Sequence, residues 1–161
     1  MKLRLLILLT LTISSAGFAN QLKVVADNFH GNNIKGISTF SGNVKITKGD
    51  DELNASNVVI YLNKLHKPIK MIATGHVSFF ITTDNNVSYD GKAHKVIYLP
   101  IQKEYRFFKN VHIWQINNKR EIKGDKIILN ILTGQAVANG AKHSPVVMIF
   151  NLKNKHKKQS K

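Results

Sequence analysis

The segment Gly36-Ile-Ser-Thr-Phe-Ser-Gly-Asn-Val-Lys-Ile46 alternates over its whole length. Gly36, Ser38, Phe40, Gly42, Val44 and Ile46 share one parity, Thr39, Ser41, Asn43 and Lys45 share the other, and only Ile37 spoils the polar side. A two-residue period sets one face of a β-strand against an apolar interior and the other in water, whereas a helix would scatter the same residues around its axis. Any fold for this chain therefore has to cover a sheet face.

The pattern returns further on. Phe40-Ser-Gly-Asn-Val-Lys-Ile46 aligns with Ala73-Thr-Gly-His-Val-Ser-Phe79 and, without its glycine, with Phe107-Phe-Lys-Asn-Val-His-Ile113, so Val44, Val77 and Val111 fall 33 and 34 residues apart. A second phrase runs between these: Val25-Ala-Asp-Asn-Phe29, Asn54-Ala-Ser-Asn-Val58, Asp90-Gly-Lys-Ala-His-Lys-Val96 with two extra residues, and Lys123-Gly-Asp-Lys-Ile127. Each period thus holds two strands' worth of pattern. Repeats of this length indicate a stacked, quasi-one-dimensional β-structure.

Met1 to Ala19 reads as a signal peptide rather than as part of the fold. Lys2 and Arg4 precede an apolar run from Leu5 to Ile13, and Gly17 and Ala19 occupy the −3 and −1 positions of a cut before Asn20. The run is shorter than the roughly 20 apolar residues that a membrane-spanning helix needs. The fold is then one domain, residues 20–152, followed by a basic tail from Lys153 to Lys161 that is expected to be disordered. With no cysteine, an exported chain must be held by its sheet and apolar interior alone. A formal charge of +15 suggests an anionic partner, or else solvated lysines that protect sheet edges. Nucleic acid is not expected, because export and the lack of helix-turn-helix or base-stacking patterns argue against it.

In chain order, Leu22 to Ala26 reads as a first strand, Phe29 to Asn33 as a hairpin turn, and Lys48 to Glu52 as a second turn. Further turns fall at Asn63 to Pro68, Thr83 to Asn86, Pro100 and Ile116 to Arg120, and Val146 to Leu152 is the last strand candidate. In Ile127-Ile-Leu-Asn-Ile131 the polar Asn130 must face out, which places Ile127, Leu129 and Ile131 inside. Alignment of the repeats then turns Val58, Ile60, Leu62, Val96 and Tyr98 inward as well. Gly42, Gly75, Gly124, Ala26 and Ala55 are read as small inward residues, fitting either a groove or a tight bend. The chain is all-β, with short strands at a spacing of about 8–12 residues.

Catalytic chemistry is not indicated. His30, His66, His76, His94, His112, His143 and His156 are scattered without metal-ligand spacing, so no metal or other cofactor is expected. Asp27 and Asp125 occupy matching places in the repeat, where an acid beside a bend serves backbone donors rather than acid-base work. No Gly-x-Ser-x-Gly phrase or phosphate-binding loop is present.

A leader followed by Val25-Ala-Asp27, Gly36-Ile-Ser-Thr-Phe-Ser-Gly-Asn-Val44, Leu53-Asn-Ala-Ser-Asn-Val58 and Ile122-Lys-Gly-Asp-Lys-Ile127 resembles the lipopolysaccharide-transport protein A family, LptA, with its OstA-like domain. The likeness runs from about Leu22 to Asn139 and departs from the pattern at Lys109, where the third repeat lacks its glycine. The resemblance implies a twisted, open-ended β-jellyroll forming a trough through the periplasm. It also implies that lipopolysaccharide arrives from an LptC-like inner-membrane protein and passes to an LptD-like outer-membrane protein. A stacked β-repeat cannot cap its own ends, so edge-strand addition to such partners and end-to-end homo-oligomers are expected from the pattern itself. On that reading the trough is lined by Leu22, Val24, Phe40, Val44, Ile46, Val58, Ile60, Val77, Phe79, Val96, Tyr98, Val111, Ile113, Ile127 and Leu129, chosen by shared parity. The alternative readings are a scaffold whose interior is a packed core and a polyanion-binding module.

Overall fold

The computed structural model describes residues 21–150, and every regular element among them is a strand. The segment read as a signal peptide, Leu152 and the segment read as a basic tail lie outside the described residues. Two short strands, β1 (Leu22–Val25) and β2 (Asn28–Asn32), precede six long ones: β3 (Ile37–Lys48), β4 (Asp51–Leu62), β5 (Pro68–Thr82), β6 (Ser88–Leu99), β7 (Glu104–Gln115) and β8 (Arg120–Asn130). Two more short strands close the series, β9 (Ala136–Asn139) and β10 (Val147–Ile149). All pairings are antiparallel, and β3 to β8 lie side by side in chain order because a tight turn joins each to the next. The 33- and 34-residue period is one hairpin: β3 with β4, β5 with β6, β7 with β8.

The strands are longer than their expected spacing because each long strand serves two layers. Halfway along, the register shifts at Ser41/Val44, Asn54/Asn57, Thr74/Val77, Lys92/Lys95 and Phe108/Val111. At these shifts β3, β5 and β7 place two successive residues in the left-handed region: Gly42 and Asn43 (φ 76 and 45), Gly75 and His76 (82 and 49), Lys109 and Asn110 (61 and 51). An extra residue in that conformation bends the strand and sharpens its twist. Glycine enters the region without strain, and Asn and His tolerate it better than most residues, so the recurring Gly-Asn/His-Val phrase is the chemistry of a corner. Gly42 and Gly75 therefore form the bend itself and do not point inward, which corrects their reading as small interior residues.

One residue on the facing segment locks each of the first two corners. Asp27 accepts a hydrogen bond from Asn43 Nδ2 at 2.9 Å and donates its N–H to the Gly42 carbonyl at 2.9 Å. Ser56 Oγ donates to the Gly75 carbonyl at 3.1 Å. Because the facing strand crosses the corner with one residue where its partner uses two, its inward residues are three apart: Ala55 and Val58, Ala93 and Val96, Gly124 and Ile127. The equivalent phrase in β6 is then Lys92-Ala-His-Lys-Val96, with no insertion, and not the longer one starting at Asp90.

Folding at a common line turns the single sheet over on itself. Five residues from one half (Val44, Ile46, Val77, Phe79, Ile113) and five from the other (Val58, Ile60, Val96, Phe107, Leu129) enter the same buried cluster. The turn after β5 meets the end of β8, where Asp84 donates its N–H to the Ile131 carbonyl at 3.1 Å and Ile131 donates to the Lys103 carbonyl at 2.8 Å. The short strands finish both edges: β1 and β2 pair with the two halves of β3, and β10 and β9 pair with the two halves of β8. The twisted jellyroll is therefore open at both edges.

Phe29 to Asn33, read as a turn, is mostly strand. Phe29 pairs with Phe40 and its ring lies 5.0 Å from it, which extends the chain and moves the turn to 33–36. Gly31 belongs under that ring, since a Cβ there would approach the Phe29 side chain to 2.8 Å. The last strand is shorter than Val146 to Leu152, at Val147–Ile149.

Candidate functional site

The face enclosed by the fold is apolar almost throughout. Val44, Ile46, Val58, Ile60, Val77, Phe79, Val96, Val111, Ile113, Ile127 and Leu129 are all in the buried core. Val24, Phe40 and Tyr98 are partly buried against it. Leu22 departs from the others: it is 37% exposed, because it sits on the edge strand with no further strand beyond it. Burying each such side chain contributes about 1.5–3 kcal/mol, so this interior is the main source of stability in a chain without disulfides.

Reading by parity missed part of the interior. Ala73 and Phe107 stand at the head of the repeated phrase, aligned with Phe40, and both are buried. Ala93 lies across the register switch, where simple alternation fails, while Ala55, read as a small inward residue, is buried as expected. Met71, Leu53, Tyr105 and Ile122 pack against the same cluster. The aligned first residues and the three-residue spacing in β4, β6 and β8 are the signals that identify most of them.

Aromatic rings join the two layers. Phe79 from one half stacks on Phe107 from the other, with ring centroids 4.5 Å apart, and Tyr105 and Tyr98 continue the row at 5.9 and 4.3 Å. Burial pushes the Tyr105 phenol far above its ordinary range and raises Tyr98 as well, so both rings stay neutral and add no charge to the apolar lining.

Beyond Tyr98 the packing opens. A cavity of about 120 Å³ lies between Leu22, Ile46 and Leu53 on one layer and Met71, Ala73, Val96, Tyr98 and Tyr105 on the other. An apolar cavity of about 150 Å³ stays dry and accepts a ring the size of benzene. The resting space therefore takes a small apolar group, and a longer one requires the layers to part. Its mouth is charged, with Lys48, Asp51, Glu52, Asp84 and Lys103 around it. Lys103 Nζ lies 4.0 Å from Asp84, and Asp51 accepts the Thr82 N–H at 2.8 Å. Burial raises the Asp51 carboxyl above its usual value, against the lowering effect of that hydrogen bond.

The lining contains no arrangement of nucleophile, base and oxyanion donors. Among the described residues no group of three or more His, Cys, Asp or Glu could hold a metal. His112, one of the scattered histidines, is on the outer face and bonded to Glu121 at 2.9 Å. What the site can do chemically is shelter hydrocarbon.

Comparison with known proteins agrees with this geometry. A family model described as LptA/(LptD N-terminal domain) LPS transport protein matches residues 23–135, from β1 to the turn after β8. The chain is 33% identical over 157 residues to the lipopolysaccharide export system protein LptA of Haemophilus influenzae, covering 91% of this chain and 90% of that protein. Its fold is similar to that of LptH, the LptA homologous periplasmic component of the lipopolysaccharide transport device of Pseudomonas aeruginosa. That match has a TM-score of 0.73 and 15% identity, and it covers 83% of this chain and 96% of LptH. A twisted sheet folded at repeated corners around an apolar interior, matched by this family model over most of its described length, places the chain in the LptA/LptD N-terminal domain family of lipopolysaccharide transport proteins.

Proposed function

We propose that this chain is a periplasmic carrier that binds lipopolysaccharide by its acyl chains, between the two layers of the folded sheet, as part of a bridge to the outer membrane. The observation that carries this reading is an apolar interior continuous with a mouth at Leu22 and Tyr98. Each buried methylene is worth about 0.8 kcal/mol, so several acyl chains in water would cost tens of kcal/mol. Where the layers part to admit lipid, apolar side chains exchange one apolar neighbour for another, which offsets the contacts given up between layers. The scaffold reading leaves the mouth unused.

Photo-crosslinkers at Val24, Ile46 and Tyr98 are expected to capture lipopolysaccharide, while crosslinkers at Asn130 or Lys45 are not. Asn130 is turned away from the core and accepts hydrogen bonds from Leu132 and Thr133, and Lys45 is paired with Glu52 at 2.7 Å on the outer face. Equal capture at both sets would end the trough reading.

The bridge is built by strand addition at the two edges, to LptC-like and LptD-like partners and to further copies of this chain. An edge strand presents unpaired N–H and C=O groups, and β1 and β10 end the sheet. Val147, Met148, Ile149 and Phe150 are each at least 41% exposed, an apolar strip that a neighbouring strand would cover. Deleting 146–161 is expected to weaken end-to-end association in sedimentation and to leave the β-sheet circular dichroism in place. Loss of the dichroism would instead make β10 part of the core.

A further inference from the structure

The outer face of the fold line is strongly basic on one side only. Strand register sets Lys92 beside His112 and Lys123 on one side of the bend, and Lys95 beside Phe108 and Lys126 on the other. Between the two rows the corner itself carries His76, His94 and Lys109, all exposed. These side chains point outward because their neighbours Ala93, Val96, Phe107, Val111 and Ile127 are buried. Adjacent strands lie about 4.8 Å apart, so five lysines from β6 to β8 crowd a band about 10 Å wide. Of the acids nearby, Glu121 is taken up by His112 and Lys123, at 2.9 and 3.6 Å, while Asp125 at the third corner and Asp90 beside Lys92 are exposed, so five lysines outnumber three acids along the ridge. Lys92, Lys95, Lys109 and Lys126 have no carboxylate within 4.0 Å among the described residues. The same line on β3 and β4 carries Asn43, Asn54, Ser56 and Asn57, and its one lysine, Lys45, is neutralised by Glu52.

Apolar groups lie within this charge. Lys95 and Lys126 both hold their ammonium groups 5.9 Å from the ring of Phe108. The next outward row reads Ile72, Ile97, Arg106, Ile128, Val137 in register across five strands. Lysines beside an aromatic ring and branched aliphatic residues on a broad sheet match the interface of an anionic bilayer, where ammonium groups meet phosphates and apolar side chains enter the head-group boundary. A single-strand nucleic acid would call for a line of free stacking rings along a groove, whereas here Phe108 lies between Lys95 and Lys126 and Trp114 is already covered by His112 at 3.6 Å. The mouth of the trough is at the strand ends, about five residues or roughly 17 Å along β7 from the bend, so lipid seated in the trough does not account for the ridge.

We infer that the Lys92, Lys95, Lys109, Lys123 and Lys126 ridge is a docking surface for an anionic phospholipid leaflet, separate from the trough. It orients the carrier with its bend against the membrane and its mouth away from it. Each lysine at an anionic leaflet contributes about a fivefold factor in partitioning, and the attraction falls off within a Debye length.

The test is sedimentation of the mature chain with vesicles of equal parts phosphatidylglycerol and phosphatidylcholine, against vesicles of phosphatidylcholine alone. The wild-type protein should bind the anionic vesicles, more strongly at low salt, and not the zwitterionic ones. K92Q/K95Q/K126Q should lose roughly a hundredfold in partitioning, while K35Q/K64Q/K67Q, with the same net charge, should lose far less. Capture of lipopolysaccharide by the crosslinker at Ile46 should be unchanged in the ridge variant, which separates this inference from the trough reading. Equal losses in the two triple variants would assign the attraction to net charge and overturn the proposal. So would wild-type protein that ignores anionic vesicles but retards a DNA duplex, since the ridge would then be a nucleic-acid surface.

Discussion

Gly75→Val is expected to destabilise the protein by roughly 2–5 kcal/mol, seen as an earlier urea midpoint in a β-sheet circular dichroism titration. Two effects add. At φ 82 any side chain is strained, a β-branched one most of all, and a Cβ built there would stand 2.7 Å from the Ser56 Cβ and 2.6 Å from its Oγ. Ser56 is held against Gly75 by its own hydrogen bond and cannot retreat without giving it up. The converse change belongs to the third corner, where Lys109 occupies the glycine position at φ 61. Lys109→Gly should stabilise by about 1 kcal/mol, the left-handed strain relieved less the entropy that glycine loses on folding. A neutral Gly75→Val would mean that the corner is not a structural requirement.

Phe107→Ala is expected to cost about 3–5 kcal/mol, and Phe108→Ala under about 1 kcal/mol, in the same titration. The two residues are adjacent in sequence and opposite in the sheet. Phe107 is fully buried and stacks on Phe79 across the layers, so its removal leaves a void that the stiff neighbouring strands cannot close. Phe108 lies on the outer face between Lys95 and Lys126. Similar losses at the two positions would mean that the inward face of β7 has been assigned wrongly.

Much of the fold was legible because alternation and turn chemistry are local. The hairpin at Asn63 to Pro68 and the tips at Thr83 to Asn86 and Ile116 to Arg120 follow from residues suited to tight turns, and the outward Asn130 orients Ile127, Leu129 and Ile131 without reference to any other strand. The second halves of β3, β5 and β7 were legible too, and because a two-residue corner conserves parity the same reading extends back to Ala73 and Phe107, which it left out. In β4, β6 and β8 one residue crosses the corner and parity reverses, so alternation carried across the strand points Ala93 the wrong way, and Gly124 was read as inward only because it is small. Phe29 misled for a related reason: its neighbours are turn formers, but its ring has Phe40 to pack on, and a tertiary contact overrode the local preference.

By itself, then, the sequence determined that the chain is a repeating sheet with one apolar face, and many of the side chains on that face, among them Val44, Val77, Val111, Ile127 and Leu129. Both follow from side-chain polarity at a period of two, which needs no knowledge of partners. Only the tertiary structure decided that the sheet folds at a shared line, that Leu22 stands at an open edge, and that Lys92, Lys95, Lys109, Lys123 and Lys126 form one ridge. Those lysines are separated along the chain by as many as 34 residues and come together through strand register. Register depends on where each corner puts its extra residue, a property of paired backbones that no single strand's sequence contains.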